Sequence, residues 1–112
     1  MTQAQGQYDD LAGRVAIITG ASTGLGSVMA EALALNGVNV LGVARTKERL
    51  DAFAGALNEK AGRDAFTAFA GDVGLRATCE RTVAAAIERF GRIDILINNA
   101  GVGSNYPRPP GF

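Results

Sequence analysis

A chain of 112 residues holds one domain at most, since a second core would not fit in it. Hydrophobic residues make up 47% and charged residues 20%, proportions that exclude disordered, collagen-like and disulfide-scaffold classes. Eleven Lys plus Arg balance eleven Asp plus Glu and are scattered rather than striped, which removes the footprint of a nucleic-acid binder, and the absence of histidine removes His-based zinc sites and Ser-His-Asp hydrolysis.

Residues 1–10, MTQAQGQYDD, read as a polar leader without the apolar core of a secretion signal. No stretch approaches the roughly 18 apolar residues of a membrane span, so a cytoplasmic protein is expected. Cys79 is the single cysteine and has no partner for an internal disulfide, in keeping with a reducing compartment.

Two periods alternate along the rest of the chain. Arg14 to Thr19 is a short branched apolar run and predicts a strand. Leu25, Val28, Met29 and Ala32 then fall at i, i+3, i+4 and i+7, predicting a helix that stops at Gly37. A second strand spans Val38 to Ala44, and Thr46 is the expected N-cap of a helix with Leu50, Phe53, Ala54, Leu57 and Ala61 on one face, ending at Gly62. Ala65 to Ala70 is a weaker strand. A third helix starts near Gly74, carries Leu75, Cys79, Val83, Ile87 and Phe90 as its core stripe, and closes at Gly91; Cys79 is expected there as a small buried hydrophobe. Ile93 to Ile97 is the fourth strand.

This order predicts an α/β fold, a Rossmann-type doubly wound parallel sheet in strand order 3-2-1-4. The first two helices cover one face and the third covers the other, thinly. A complete sheet of six strands needs roughly 180 residues, so the sheet is expected to be incomplete, with about four strands and three helices. Residues 11–103 form the dinucleotide-binding portion, and residues 104–112, rich in proline, read as a truncated loop.

The segment Thr19-Gly20-Ala21-Ser22-Thr23-Gly24-Leu25-Gly26 lies where the first strand gives way to the first helix. Gly20 permits the sharp turn, Gly24 lets main-chain N–H groups approach a phosphate, and Gly26 lets helix and sheet pack closely. The helix start, with free N–H groups and a positive dipole end, then suits a pyrophosphate. An ordinary flexible turn is the alternative for a lone glycine triplet. Its place between strand and helix favours the dinucleotide.

The pattern TGxxxGxG at Thr19 to Gly26, Asp72-Val73 after the third strand and Asn98-Asn99-Ala100-Gly101 after the fourth together resemble the short-chain dehydrogenase/reductase family. The resemblance covers about residues 11 to 103. It implies that Gly20, Ser22, Thr23, Gly24, Leu25 and Gly26 hold the cofactor's phosphates and adenosine ribose. It implies also that Asp72, with Val73, meets the adenine and that Asn99, with Ala100 and Gly101, lies along the cofactor. Capping the third helix is the alternative for Asp72, but its place at the carboxyl end of a central strand favours binding. Asn98 and Asn99 also fit a strand-ending turn, and their place beside the switch point favours a mixed structural and cofactor role.

Cofactor choice turns on the end of the second strand, where a carboxylate would bind the ribose 2′-hydroxyl of NAD. Ala44 offers none, and Arg45 can bind a 2′-phosphate and stack on adenine, so NADP is favoured, with NAD left open. Against it, Arg45 also reads as a solvated loop charge, and Thr23 stands where relatives that prefer NADP often carry a second basic residue.

Members of the family transfer hydride between nicotinamide and a carbonyl or alcohol with a serine and a Tyr-x-x-x-Lys pair. Here Ala12 follows Tyr8 by four residues and Pro110 follows Tyr106 by four, while the only lysines are Lys47 and Lys60. A phenol acting near neutral pH needs a neighbouring ammonium to stabilise its phenolate. No catalytic residue is therefore assigned, Ser104 included, and the chain alone is expected to be inactive. Two readings result: the amino-terminal part of an NADP-dependent reductase that is a homo-oligomer in its full form, or a non-catalytic nucleotide-binding or interaction module. Neither implies a nucleic-acid or membrane partner, and the substrate is not readable.

Overall fold

The computed structural model describes residues 11–21, 24–72 and 74–99. The chain runs β1 (Val15–Thr19), α1 (Gly24–Leu35), β2 (Asn39–Ala44), α2 (Lys47–Ala61), β3 (Phe66–Ala70), α3 (Arg76–Phe90) and β4 (Ile95–Asn98). The strands form one parallel sheet in the order β3-β2-β1-β4, as the sequence predicts. Among the described residues no helix is long and apolar enough to cross a membrane.

Register places Val15 beside Asn39, Val40 beside Phe66 and Ala16 beside Ile95. Branched side chains alternate across this sheet and bury both of its faces. Toward α1 and α2 lie Ala16, Ile18, Val40 and Phe66, with Ala30, Ala34, Leu50 and Leu57 from the helices. Toward α3 the buried set shrinks to Ile17, Leu41, Val43 and Ala86. The second face is the thin one, as expected. Each fully buried aliphatic or aromatic side chain contributes about 1.5 to 3 kcal/mol, so the stability of the sheet resides mainly on the α1/α2 side.

The helices pack differently from the sequence expectation. On α3 the sheet-facing residues are Thr78, Thr82 and Ala86, while Leu75, Val83 and Ile87 are exposed and Cys79 is an exposed thiol, not a core residue. The reason is closeness of approach: a methyl placed on Gly71 would lie 2.6 Å from Thr78 Cγ2, so a small side chain is required there. Thr82 tolerates burial because its hydroxyl donates to Thr78 O at 2.8 Å. The same rule governs α1, where Gly26, Ala30 and Ala34 are buried and Leu25 and Val28 are exposed. The α2 stripe is as predicted, with Leu50 and Leu57 buried.

Helix ends follow the glycines. After α1, Gly37 N–H donates to Ala34 O and Val38 N–H to Leu33 O, the paired bonds of a Schellman stop. Thr46 occupies the N-cap of α2 but makes no side-chain cap bond, and α3 begins at Arg76, two residues later than expected. Strand β4 also starts two residues late. Asp94 is used there as a clasp: its carboxylate accepts Val15 N–H at 2.8 Å and both Arg92 Nε and Nη2, at 2.8 and 2.7 Å. Arg92 beside it holds its carboxyl below the usual carboxylate range, helped by the Val15 N–H.

The two borders of the sheet are finished differently. On β3 the side chain of Asn58 accepts Phe66 N–H at 2.7 Å and donates to Phe66 O at 3.0 Å, closing the outward main-chain groups of that residue. On β4 the register turns the main-chain groups of Leu96 outward, and its side chain is 68% exposed.

Candidate functional site

The ends of β1, β2, β3 and β4 deliver Gly20, Arg45, Asp72 and Asn99 to the same border of the sheet. Strand β1 lies between β2 and β4, so the chain passes to one side of it through α1 and returns to the other side through α3. That is a topological switch point, where open α/β sheets bind ligands.

At its centre is a tight node of main chain. Gly20 has φ +66° and Gly24 φ +56°, values that favour glycine, and together they turn the chain off β1 into α1. Gly20 N–H donates to Val43 O at 2.7 Å, which fixes the turn beside the end of β2. A methyl on Gly26 would collide with the carbonyl oxygen of Gly20 and lie 2.7 Å from Asn99 Nδ2. A methyl on Gly24 would meet no atom of the described residues within 4 Å. The helix start is therefore pressed onto the sheet at Gly26 and left open at Gly24, the side on which an anion would meet the N–H groups of the first turn.

Asn99 reaches the same node from β4, its Nδ2 donating to Gly20 O at 3.3 Å and its N–H to Thr19 Oγ1 at 2.8 Å. Thr19 Oγ1 in turn donates to Asn98 Oδ1 at 3.0 Å. Thr19 and Asn98 thus belong to the node, although the motifs that contain them point to no cofactor role for either. The signal was the threonine opening the glycine segment, whose hydroxyl can both accept and donate.

The other sites read from sequence are placed as follows. Leu25, on the first turn of α1, is 63% exposed. Arg45 is exposed just beyond β2. Asp72 Oδ1 accepts Gly74 N–H at 2.9 Å and its carbonyl accepts Leu75 N–H at 3.0 Å, so its side chain shapes the turn into α3 without being the helix N-cap. Ser22, Thr23, Val73, Ala100 and Gly101 lie outside the described residues, as do residues 104–112 with Ser104 and Tyr106. Among the described residues no cluster of His, Cys, Asp or Glu is arranged to hold a metal.

A separate cleft of about 200 Å³ opens on the α3 side, between Cys79, Thr82 and Val83 of the helix and Ile17, Leu96 and Asn98 of the sheet. None of its described lining residues is charged, and it meets the node through Thr19, Val43 and Asn98.

Comparison with known proteins agrees with this geometry. The family described as short chain dehydrogenase matches residues 14–109. D-threitol dehydrogenase of Mycolicibacterium smegmatis is 40% identical over 111 residues, 96% of this chain and 42% of that protein. L-sorbose reductase of Gluconobacter frateurii, solved with NADPH and L-sorbose, superposes with a TM-score of 0.78 at 41% identity, covering 86% of this chain and 36% of that one. A 3-ketoacyl-(acyl-carrier-protein) reductase of Brucella melitensis, solved with NADH, gives a TM-score of 0.69 at 40% identity over 77% of this chain and 33% of the other. The chain spans less than half the length of each.

Proposed function

The chain belongs to the short-chain dehydrogenase family, and on that premise we propose that it is the dinucleotide-binding portion of an oxidoreductase that moves hydride between NADP(H) and a carbonyl or alcohol. The observation that carries the reading is the node at the switch point: two left-handed glycines, a helix start open at Gly24, and Asn99 held against Gly20. Relatives solved with NADPH and with NADH support a nicotinamide dinucleotide in general.

In this reading the turn from Gly20 through Ser22, Thr23, Gly24 and Leu25 to Gly26 holds the pyrophosphate and ribose. Arg45 takes a 2′-phosphate, and Asp72 with Val73 faces the adenine. Asn99, Ala100 and Gly101 line the path toward the nicotinamide. When bound, that ring supplies or accepts the hydride. Thr19 keeps Asn99 in place, so the β4 end and the glycine turn act as one wall.

Calorimetric titration with NADPH and NADH tests this. NADPH is expected to bind more tightly, and Arg45→Ala is expected to remove that preference, since a charge-assisted contact is worth about 1.5 to 3 kcal/mol, roughly ten- to hundredfold. Equal affinities before and after the substitution would discard NADP, and no affinity for either nucleotide in the folded chain would discard the site. Because neither Tyr8 nor Tyr106 is followed by lysine four residues on, the 112-residue chain is expected to bind without turnover. Reduction of any carbonyl by the purified chain would contradict that.

A further inference from the structure

Behind the glycine turn, on the α1/α2 side of the sheet, β2 has a position with no side chain. Gly42 lies between Ile18 of β1 and Ala68 of β3, a central place where a branched residue is the usual choice. The space over it is taken from the neighbouring strand. A methyl on Gly42 would collide with Phe66 Cζ, lie 2.6 Å from Phe66 Cε2 and stand 3.0 Å from the methyl of Ala21. Phe66 and Ala21 therefore share the volume that a side chain at Gly42 would fill. Ala21 is the residue of the turn that follows Gly20.

Neither neighbour has room to yield. Phe66 is packed edge-on against Phe53 of α2, at 5.2 Å between ring centres, and its N–H and C=O are taken by Asn58. Ala21 is buried in the same cluster, with Ala30 of α1, and Gly20 before it is tied to Val43 O by its N–H. Close-packed interiors transmit a displacement rather than absorb it. Gly42 is buried and Ala21 and Phe66 are 0% and 1% exposed, so no further segment of polypeptide can reach this contact.

We infer that Phe66 is a positioning residue for the nucleotide: its ring, lying across Gly42, sets where the glycine turn stands at Ala21, and through the turn the N–H groups at the start of α1. This role rests on the proposed seat of the pyrophosphate in that turn. Phe66 acts through Ala21 and not by contact with the nucleotide. The device is a match of sizes, an absent side chain on β2 against a long flat one on β3, and either partner changed alone spoils it.

Calorimetric titration with NADPH, beside amide NMR spectra of the nucleotide-free protein, tests it. Gly42→Ala, which drives the ring against the turn, and Phe66→Leu, which withdraws it, are each expected to weaken binding about tenfold, within the coupling range of residues in contact. Each is expected to shift the amide signals of Gly20 and Ala21 while those of α3 stay in place. The double variant Gly42→Ala/Phe66→Leu gives the new methyl room and is expected to bind as tightly as the wild type. Recovery of affinity on combining two losses is the result that a purely structural role would not produce. If Gly42→Ala does not fold, Phe66→Leu against the double variant makes the same comparison. Wild-type affinity in Phe66→Leu, or a double variant that binds no better than Phe66→Leu, overturns the inference and leaves the pyrophosphate site standing. No affinity in the folded wild type discards that site and, with it, this role for Phe66.

Discussion

Strands β3 and β4 both border the sheet and both lack charged side chains, reading FTAFA and ILIN. Their surroundings differ. Strand β3 rests on α2, with Phe66 1% exposed and packed edge-on against Phe53 at 5.2 Å between ring centres, and its outer main chain is closed by Asn58. Strand β4 has no such plug among the described residues, and alternate residues, Leu96 and Asn98, stand exposed. Besides its ladder with β1 and the packing of Ile95 and Ile97 on the core, it is tied at its two ends, by the Asp94 clasp with Val15 at the start and the Thr19 to Asn99 bond at the finish. The β3 border is anchored by a fully buried phenylalanine and an amide plug, the β4 border by half-buried isoleucines and polar ties at both ends. The strand that carries half of the node proposed to hold the nucleotide is therefore the one whose hold leans more on charge and hydrogen bonds.

The sharpest way to test that contrast is to cut into each anchor and measure urea denaturation. Phe66→Ala is expected to cost about 3 to 5 kcal/mol, because it empties a packed site under α2. A loss below about 1 kcal/mol would mean that β3 is not anchored by packing. Asn58→Ala comes next: it strips partners from Phe66 N–H and Phe66 O, while Ala65 N–H keeps Arg63 O at 2.9 Å, and each group left unsatisfied costs about 1 to 3 kcal/mol when water cannot replace the bond. These groups are only part-buried, so the total is expected near the lower figure.

The third test uses pH. Asp94 has a carboxyl held below its ordinary value, first by the Arg92 hydrogen bond and then by Val15 N–H. A carboxylate lowered in the folded state adds stability above its unfolded value, about 3.9, and loses it as pH falls through the lower folded value. Amide protection in β4 is expected to fall before that in β3 as pH drops below about 4. Asp94→Asn should remove that early loss, and simultaneous opening of both borders would count against the clasp. Smallest of all, Leu96→Thr is expected to change monomer stability by no more than about 0.5 kcal/mol, since its side chain is already in water.

Much of this architecture was legible in the sequence. The alternation of branched runs with helical spacing placed all seven elements within about two residues at their ends, and the glycine segment located the switch point. What hydropathy misread was orientation. It sent Leu75, Cys79, Val83 and Ile87 to the sheet, whereas α3 approaches through Thr78, Thr82 and Ala86, and α1 through Gly26, Ala30 and Ala34. Both faces repeat small residues at i, i+4 and i+8, a signal of close approach that a search for large apolar side chains passes over. The coupling of Thr19 to Asn99 was likewise hidden, because it joins residues 80 positions apart and no local pattern announces it.

That separation bears on how the fold is reached in time. Val15 meets Asn39, and Val40 meets Phe66, after short excursions through one helix each, whereas the Asp94 bond to Val15 closes a span of 79 residues. Longer closures cost more chain entropy and slow the step that makes them. The β1-α1-β2-α2-β3 unit is expected to assemble first during synthesis, with the glycine turn already shaped by Gly20 N–H on Val43 O. The last strand to arrive brings Asn99. Pulse-labelled hydrogen exchange during refolding would show this as late protection at Ile95 and Ile97, and the proposed nucleotide site would mature only in that final phase.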